Sequence, residues 1–218
     1  MNLLAIDCAE PPLSVAATSA EKRVLKRGTL WQKSGEQIVP LIDEALRELG
    51  LSPSDLDAVA LSSGPGSFTA LRIGIATAKG LCFAWEIPLI LIPTFEAMAS
   101  STFPKTKAER LITVAYSKAD EFYVGIASRS EPMEYDYLSL DALNGRLRSL
   151  ENVALVGRNL SRWRSAFDAT EIVEGDFFSA ECLLALAEAK LTRGEIADLA
   201  SAEPLYLKNF EAKRKRER

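Results

Sequence analysis

The chain has 218 residues, is 48% hydrophobic, and carries a formal net charge of −4 with no histidine. That length can bury one large core or two small ones, and the charge does not describe a general nucleic-acid binder. The missing histidine excludes Ser-His-Asp and Cys-His catalysis, imidazole metal sites and a histidine proton shuttle.

Leu3–Ala9 reads as a short buried strand, Leu13–Ser19 as a second and Arg23–Arg27 as an exposed third, an antiparallel meander. Ser34–Leu49 reads as an amphipathic helix. Ser34 and Gln37 have capping-box spacing, Gly50 stands ready to end it, and Ile38, Leu41, Ile42, Ala45, Leu46 and Leu49 form an apolar stripe. Ala58–Ser62 is a buried strand, Ala70–Trp85 a second helix, Pro88–Ile92 a strand, and Phe95–Ala99 a helix capped by Thr94. The polar stretch Ser101–Glu109 is the best linker.

Beyond the linker the order begins again. Arg110–Ala115, Phe122–Ser128 and Tyr135–Leu138 read as strands, followed by helix Asp141–Leu150, strand Val153–Val156 and helix Asn159–Phe167. A weak strand at Glu171–Val173 precedes a last helix, Ser179–Thr192, capped by Ser179 with Cys182, Leu183, Leu186 and Ala187 on its buried face. Two structural repeats of β-β-β-α-β-α type account for this order, although no sequence repeat accompanies it.

Cys8, Cys82 and Cys182 lie far apart in apolar settings, which suits buried thiols in a reducing compartment. The opening residues read as neither signal peptide nor anchor, and no run reaches the length of a membrane span, so a cytoplasmic protein is expected. The last six residues, "KRKRER", hold five cations and one anion. They read as a solvated end, or alternatively as an arm for RNA phosphates.

Two features invite chemistry. Asp7 ends the first strand, where a carboxylate either approaches a metal–phosphate complex or caps its own turn. Residues Ser63–Thr69, "SGPGSFT", join strand to helix. Gly64 and Gly66 permit tight turning, outward amides favour an anion, and Ser67 and Thr69 offer hydroxyls. The loop lacks the Walker lysine and the third glycine of a dinucleotide fingerprint, so a plain strand-to-helix turn capped by Ser67 or Thr69 reads equally well.

The helix after the loop places Ala70, Gly74, Ala78 and Leu81 near one face, with Ile73, Thr77 and Lys79 interspersed. Small residues four apart let another backbone come close, either the chain's own sheet or a helix of another subunit. With Ile38, Leu41, Ile42 and Leu46 of the first helix they can form half of a bundle completed by a second chain. Arg72 opposes the helix dipole, so an anion from Glu36, Glu44 or a partner is expected beside it.

The stretches "LLAIDCAEPPLSVAA", "PLIDEALRELGLSPSDLDAVALSSGPGSFTALRIGIATAKGLCFAWEIPLILIPTFEAMA" and "EPLYLK" resemble the TsaB (YeaZ) family of tRNA threonylcarbamoyladenosine biosynthesis. The resemblance implies an α/β, actin-like, sugar-kinase-like fold of two ribonuclease-H-like subdomains: residues 1–100 with the interface helices, residues 101–210, and a basic tail, 211–218. It implies a subunit with no catalytic residue, cofactor or metal of its own, serving a TsaD-like transferase that acts on adenosine 37 of tRNAs reading codons that begin with A. A TsaE-like ATPase joins, tRNA is met through the complex, and homodimers form when TsaD is absent. The interface implied comprises Ile38, Leu41, Ile42, Ala45, Ala70, Ile73, Gly74, Thr77, Ala78 and Leu81, and Gly74→Leu or Ala78→Glu is expected to block it in a folded chain.

This sequence departs from the family pattern at Cys8-Ala9, Lys33-Ser34, Ala70 and Tyr116-Ser117-Lys118. Those departures erode the nucleotide site formed by Asp7, Ser63, Gly64, Gly66, Ser67 and Thr69. The alternative from another class is a nucleotide-dependent phosphotransferase or ATPase using Asp7 and that loop.

Overall fold

The computed structural model describes residues 1–20 and 22–207. Strands β1 (Leu3–Asp7), β2 (Ser14–Ser19) and β3 (Lys22–Arg27) form an antiparallel meander. Helix α1 (Ser34–Leu49) leads to β4 (Ala58–Gly64), which lies parallel to β1, and helix α2 (Phe68–Trp85) leads to β5 (Leu89–Pro93), parallel to β4. The first sheet therefore runs β3-β2-β1-β4-β5.

Helix α3 (Thr94–Thr102) carries the chain across to a second meander, β6 (Arg110–Lys118), β7 (Glu121–Ser128) and β8 (Glu134–Ser139). Helix α4 (Leu140–Ser149), β9 (Val153–Gly157), a 3-10 turn at Leu160–Ala166 and β10 (Glu171–Glu174) follow. The order β8-β7-β6-β9-β10 repeats the first sheet strand for strand. Two mixed five-stranded sheets flanked by helices are the actin-like, ribonuclease-H-like architecture.

The strand at the centre of the first sheet explains its layers. All five residues of β1 are buried, as a strand covered on both faces requires. Leu4 and Ile6 point with Val59 and Leu61 toward Ile38, Ile42 and Leu46 of α1 and Leu71 and Ile75 of α2. Leu3 and Ala5 point the other way, toward Leu183, Leu184 and Ala187 of helix α5 (Glu181–Thr192). Each leucine or isoleucine so buried contributes roughly 1.5–3 kcal/mol, which outweighs helix propensity in deciding which face turns inward.

Helix α5 thus covers the first sheet, although it follows the second in sequence and falls in the 101–210 stretch. Helix α3 packs against both sheets, and Phe95 sits where a side chain on Gly125 of β7 would stand, 2.7 Å away. The expected linker shrinks accordingly: Thr102 is fully buried at the end of α3, and a 3-10 turn occupies Phe103–Lys105.

Three expected caps do not form. A 3-10 turn at Trp31–Lys33 runs directly into α1, so Ser34 lies inside the helix and its hydroxyl donates to the Trp31 carbonyl at 2.6 Å. Thr94 is the first residue of α3, and Ser179 precedes the cap position of α5. The hydroxyls of both are buried without a partner among the described residues. In place of the expected helix over Asn159–Phe167 there is a 3-10 turn, Leu160–Ala166, and Cys182 and Leu186 are only half-buried on α5.

Candidate functional site

The C-terminal ends of β1 and β4 meet at Asp7. Its side chain is 2% exposed, and Oδ1 accepts from the Ala9 amide at 2.9 Å and from the Ser62 hydroxyl at 2.8 Å. Burial pushes the carboxyl up to about 6, against the pull of those two hydrogen bonds and of Arg158. The carboxylate braces its own turn, the second of the two roles its position allowed. Its sequence neighbour Cys8 is buried, and burial raises its thiol well above the usual range, so it is no nucleophile.

The Gly-Pro-Gly loop is closed down on protein. The Ser67 amide, the first that an anion would take, donates to the Ala9 carbonyl at 2.7 Å. A side chain on Gly66 would stand 2.4 Å from that same oxygen, so glycine is required by contact with the chain itself. The Ser63 carbonyl accepts from the Leu205 amide at 2.8 Å, and Gly64 turns at φ 105° beneath the Leu205 carbonyl. Ser67 occupies the cap position of α2 without a side-chain capping bond, and Thr69 is exposed on the first turn. Among the described residues no group of three carboxylates or thiols is placed to hold a metal ion.

The helix pair presents the opposite arrangement. Ile38, Ile42, Ala45, Ala70, Gly74 and Ala78 are buried against the chain's own sheet. A side chain on Gly74 would lie 2.2 Å from the Cys8 sulfur and 3.2 Å from Leu61. The close approach that the small residues permit is therefore to β1 and β4. Gly74→Leu and Ala78→Glu strike the core, which corrects the expectation that such chains stay folded.

Ile73, Thr77 and Leu81 are half-buried on α2, and Leu41 is half-buried on α1. Beyond them the surface is open and largely apolar, edged by the exposed Asp43–Arg47 pair. Phe83 is 79% exposed and Val39 53% exposed. A groove of about 270 Å³ runs between the helices, with Val39, Ile42 and Leu46 on one wall and Leu81 and Trp85 on the other. Sequence reasoning passed over Val39 and Phe83 because it followed the inward stripe. The available signal was a large apolar residue out of phase with that stripe.

The other flank of α2 is covered by the segment that follows α5. The Lys79 ammonium donates to the carbonyls of Ala200 and Ala202 at 3.3 and 3.2 Å. The Arg72 guanidinium lies 4.1 Å over the Phe68 ring and donates to the Tyr206 hydroxyl at 3.2 Å, while Phe68 and Tyr206 pack at 5.3 Å. Aromatic faces, not Glu36 or Glu44, receive this cation. The basic run "KRKRER" lies outside the described residues.

A family model described as TsaD, tRNA N6-adenosine threonylcarbamoyltransferase, matches residues 31–130. An Escherichia coli K12 protein named tRNA threonylcarbamoyladenosine biosynthesis protein TsaB is 28% identical over 220 residues, covering 96% of this chain and 95% of that one. A tRNA N6-adenosine threonylcarbamoyltransferase of Anaeromyxobacter is 42% identical over 67 residues, 31% of this chain and 20% of that one. Among solved structures, a Pseudomonas aeruginosa protein described as uncharacterized with similarity to peptidase YEAZ superposes with a TM-score of 0.81 at 23% identity, covering 95% of this chain and 99% of that one.

Proposed function

The chain belongs to the TsaB (YeaZ) family, and on that premise we propose that it is a partner subunit required for threonylcarbamoyl transfer to adenosine 37 of tRNAs reading codons that begin with A. In this reading the transfer itself is carried out by a TsaD-like subunit, and this chain contributes no reacting group. One observation carries it: the apolar seam of α1 and α2 is open to solvent while the cleft at Asp7 is filled by the protein's own groups.

The TsaD-type match over residues 31–130 spans both seam helices and supports a partner built on the same plan. Two related helix pairs can then bury each other's seam. The docking surface proposed is the outer face of the helix pair: Val39, Leu81 and Trp85 at the groove, Ile73 and Thr77 beside it, and the exposed Phe83 further round α2, with Leu41 on α1. The buried residues of α1 and α2 set the positions of these groups rather than touching the partner. A second copy of the chain occupies the same seam when the TsaD-like subunit is absent, a TsaE-like ATPase joins the pair, and tRNA is met through the assembly.

We take the working division to be residues 1–100 and 101–210, with α5 returned to cover the first sheet, and residues 211–218 as a basic tail. Among the described residues no helix is long and apolar enough to cross a membrane, and the reading places the protein in the cytoplasm with its tRNA substrate. The phosphotransferase or ATPase alternative is not favoured, because the Asp7 carboxylate and the Ser67 amide are already engaged within the chain.

Size-exclusion chromatography with light scattering, on the chain mixed with a TsaD-like subunit, tests the pairing. A one-to-one complex is expected, weakened by about 30-fold or more in Phe83→Asp. A complex of undiminished affinity in that variant removes the seam as the docking surface.

A further inference from the structure

The cleft between the two sheets is crossed by a single partly buried guanidinium. Arg158 follows β9 of the second sheet. Its Nη1 donates to the Pro11 carbonyl at 2.5 Å and its Nη2 reaches the Glu10 carboxylate at 3.5 Å, both in the loop joining β1 to β2 of the first sheet. The same group lies 5.0 Å from the ring of Phe178, which is buried in the link from β10 to α5. Three segments converge on one cation. The side chains of Arg158 and Glu10 keep only 22% and 30% of their exposure.

The placement matters because of what lies beneath. Glu10 adjoins Ala9, whose carbonyl holds the Ser67 amide, and Ala9 in turn donates to Asp7. The guanidinium therefore grips the same β1–β2 loop whose first residues hold the Gly-Pro-Gly turn, with Asp7 within its field. A second pair, Arg27 with Asp176 at 3.3 Å, also joins the meander of the first sheet to the link after β10. Its side chains are about half exposed, the setting in which an ion pair contributes least. Arg158 differs in being partly desolvated, in donating to two acceptors and in resting on an aromatic face.

We propose that Arg158 is a latch: an internal cation that draws the β1–β2 loop of the first sheet onto the end of β9 in the second and holds the cleft shut. A cation supplied by the chain stands at the entrance where an anionic ligand and its metal would have to pass. The closed angle between the sheets is then a property of the chain alone, reached without a nucleotide, and α1 and α2 are presented on a rigid body. The latch holds independently of whether the seam receives a TsaD-like subunit.

Double electron–electron resonance on the full chain reads the angle directly. Spin labels at Lys22→Cys on β3 and Glu151→Cys before β9 lie on exposed positions of the two sheets, in a background where Cys182, the half-buried native thiol, is replaced by alanine. The parent and Arg27→Ala are expected to give the same narrow distance distribution. Arg158→Ala and Glu10→Gln should broaden it, and Arg158→Glu should broaden it most. Where Arg158→Ala fails to fold, Glu10→Gln breaks the same contact from the opposite side. Carbon-detected NMR titration supplies the second readout: Asp7 and Glu10 should both titrate at higher pH in Arg158→Ala, since the guanidinium pulls both carboxyls down. Distributions that superimpose across all variants, or carboxyl titrations that do not move, overturn the latch.

Discussion

The cleft loop and the second helix of the seam follow one another directly in the chain, β4 through α2, and the two regions end in opposite states. At the cleft, polar groups find partners inside the chain: Asp7 on Ala9 and Ser62, Ser67 on Ala9, Ser63 on Leu205. On the outer surface of α1 and α2, the groups that fold inward are satisfied, while Val39 at the groove and Phe83 on the other side of α2 are exposed among the described residues. A buried polar group is costly unless hydrogen-bonded, and an exposed apolar patch is costly until something covers it. The comparison teaches that the unfinished surface is apolar, and that the polar loop which resembles a ligand site is already complete.

The largest break in this comparison comes from Gly74. If the small-residue stripe serves the chain's own sheet, Gly74→Leu does not fold. Gly74→Ala then loses about 2–3 kcal/mol in urea denaturation, because its new methyl group meets the Cys8 sulfur. Cys8→Ala in the same chain recovers most of that loss, a coupling expected only for residues in contact. Full stability in Gly74→Ala would return the stripe to the surface.

Phe83→Asp comes next. A central aromatic anchor lost from an interface weakens binding by about 30-fold or more, corresponding to roughly 2 kcal/mol. The melting temperature should hold, since surface changes away from special contacts stay within about 0.5 kcal/mol. Calorimetric titration of a TsaD-like subunit, beside a thermal melt, separates the two effects.

Asp7 sharpens the other half of the comparison through pH. Burial pushes its carboxyl up to about 6 in the folded chain, from the usual 3.8 that holds when unfolded. The folded state therefore holds more protons between these values, and this group makes the protein less stable as pH rises from about 4 to 7. Asp7→Asn keeps an acceptor for Ala9 and Ser62 and has no charge to bury. Its stability should match the parent below pH 4 and exceed it by about 1–2 kcal/mol at pH 8, below the roughly 3 kcal/mol of a rigid, dry site. A loss of stability at pH 8 would show that the ionised carboxylate is wanted there.

The smallest effect belongs to Tyr206→Phe. It removes the hydroxyl that accepts from Arg72 and keeps the ring on Phe68, so about 0.5–1 kcal/mol is expected in the same denaturation assay.

Much of this architecture was legible in the sequence, because hydrophobic period and turn chemistry are local. The doubled order of strands and helices follows from them, as does the apolar stripe of α1. The caps were not legible: Ser34, Thr94 and Ser179 have the right chemistry, but the preceding chain arrives already helical or at the wrong angle. The direction of the small-residue stripe on α2 was open for a different reason. Glycine at position 74 announces a close approach, and only the fold brings Cys8 there as the neighbour. The return of α5 to the first sheet, the grip of Arg72 and Lys79 on the last described segment, and the Arg158 contact join distant parts of the chain, the three side-chain bonds spanning more than a hundred positions each. No local pattern marks such contacts.

The central claim is that the work of this chain is done at the α1–α2 seam and not in the cleft. It is tested most directly by the yield of threonylcarbamoyladenosine on tRNA in a reaction reconstituted with the TsaD-like subunit. At subunit concentrations near the dissociation constant of the parent complex, Asp7→Asn is expected to support as much product as the parent chain, and Phe83→Asp far less. Product lost in Asp7→Asn with the complex still assembled, or retained in Phe83→Asp, would contradict the account.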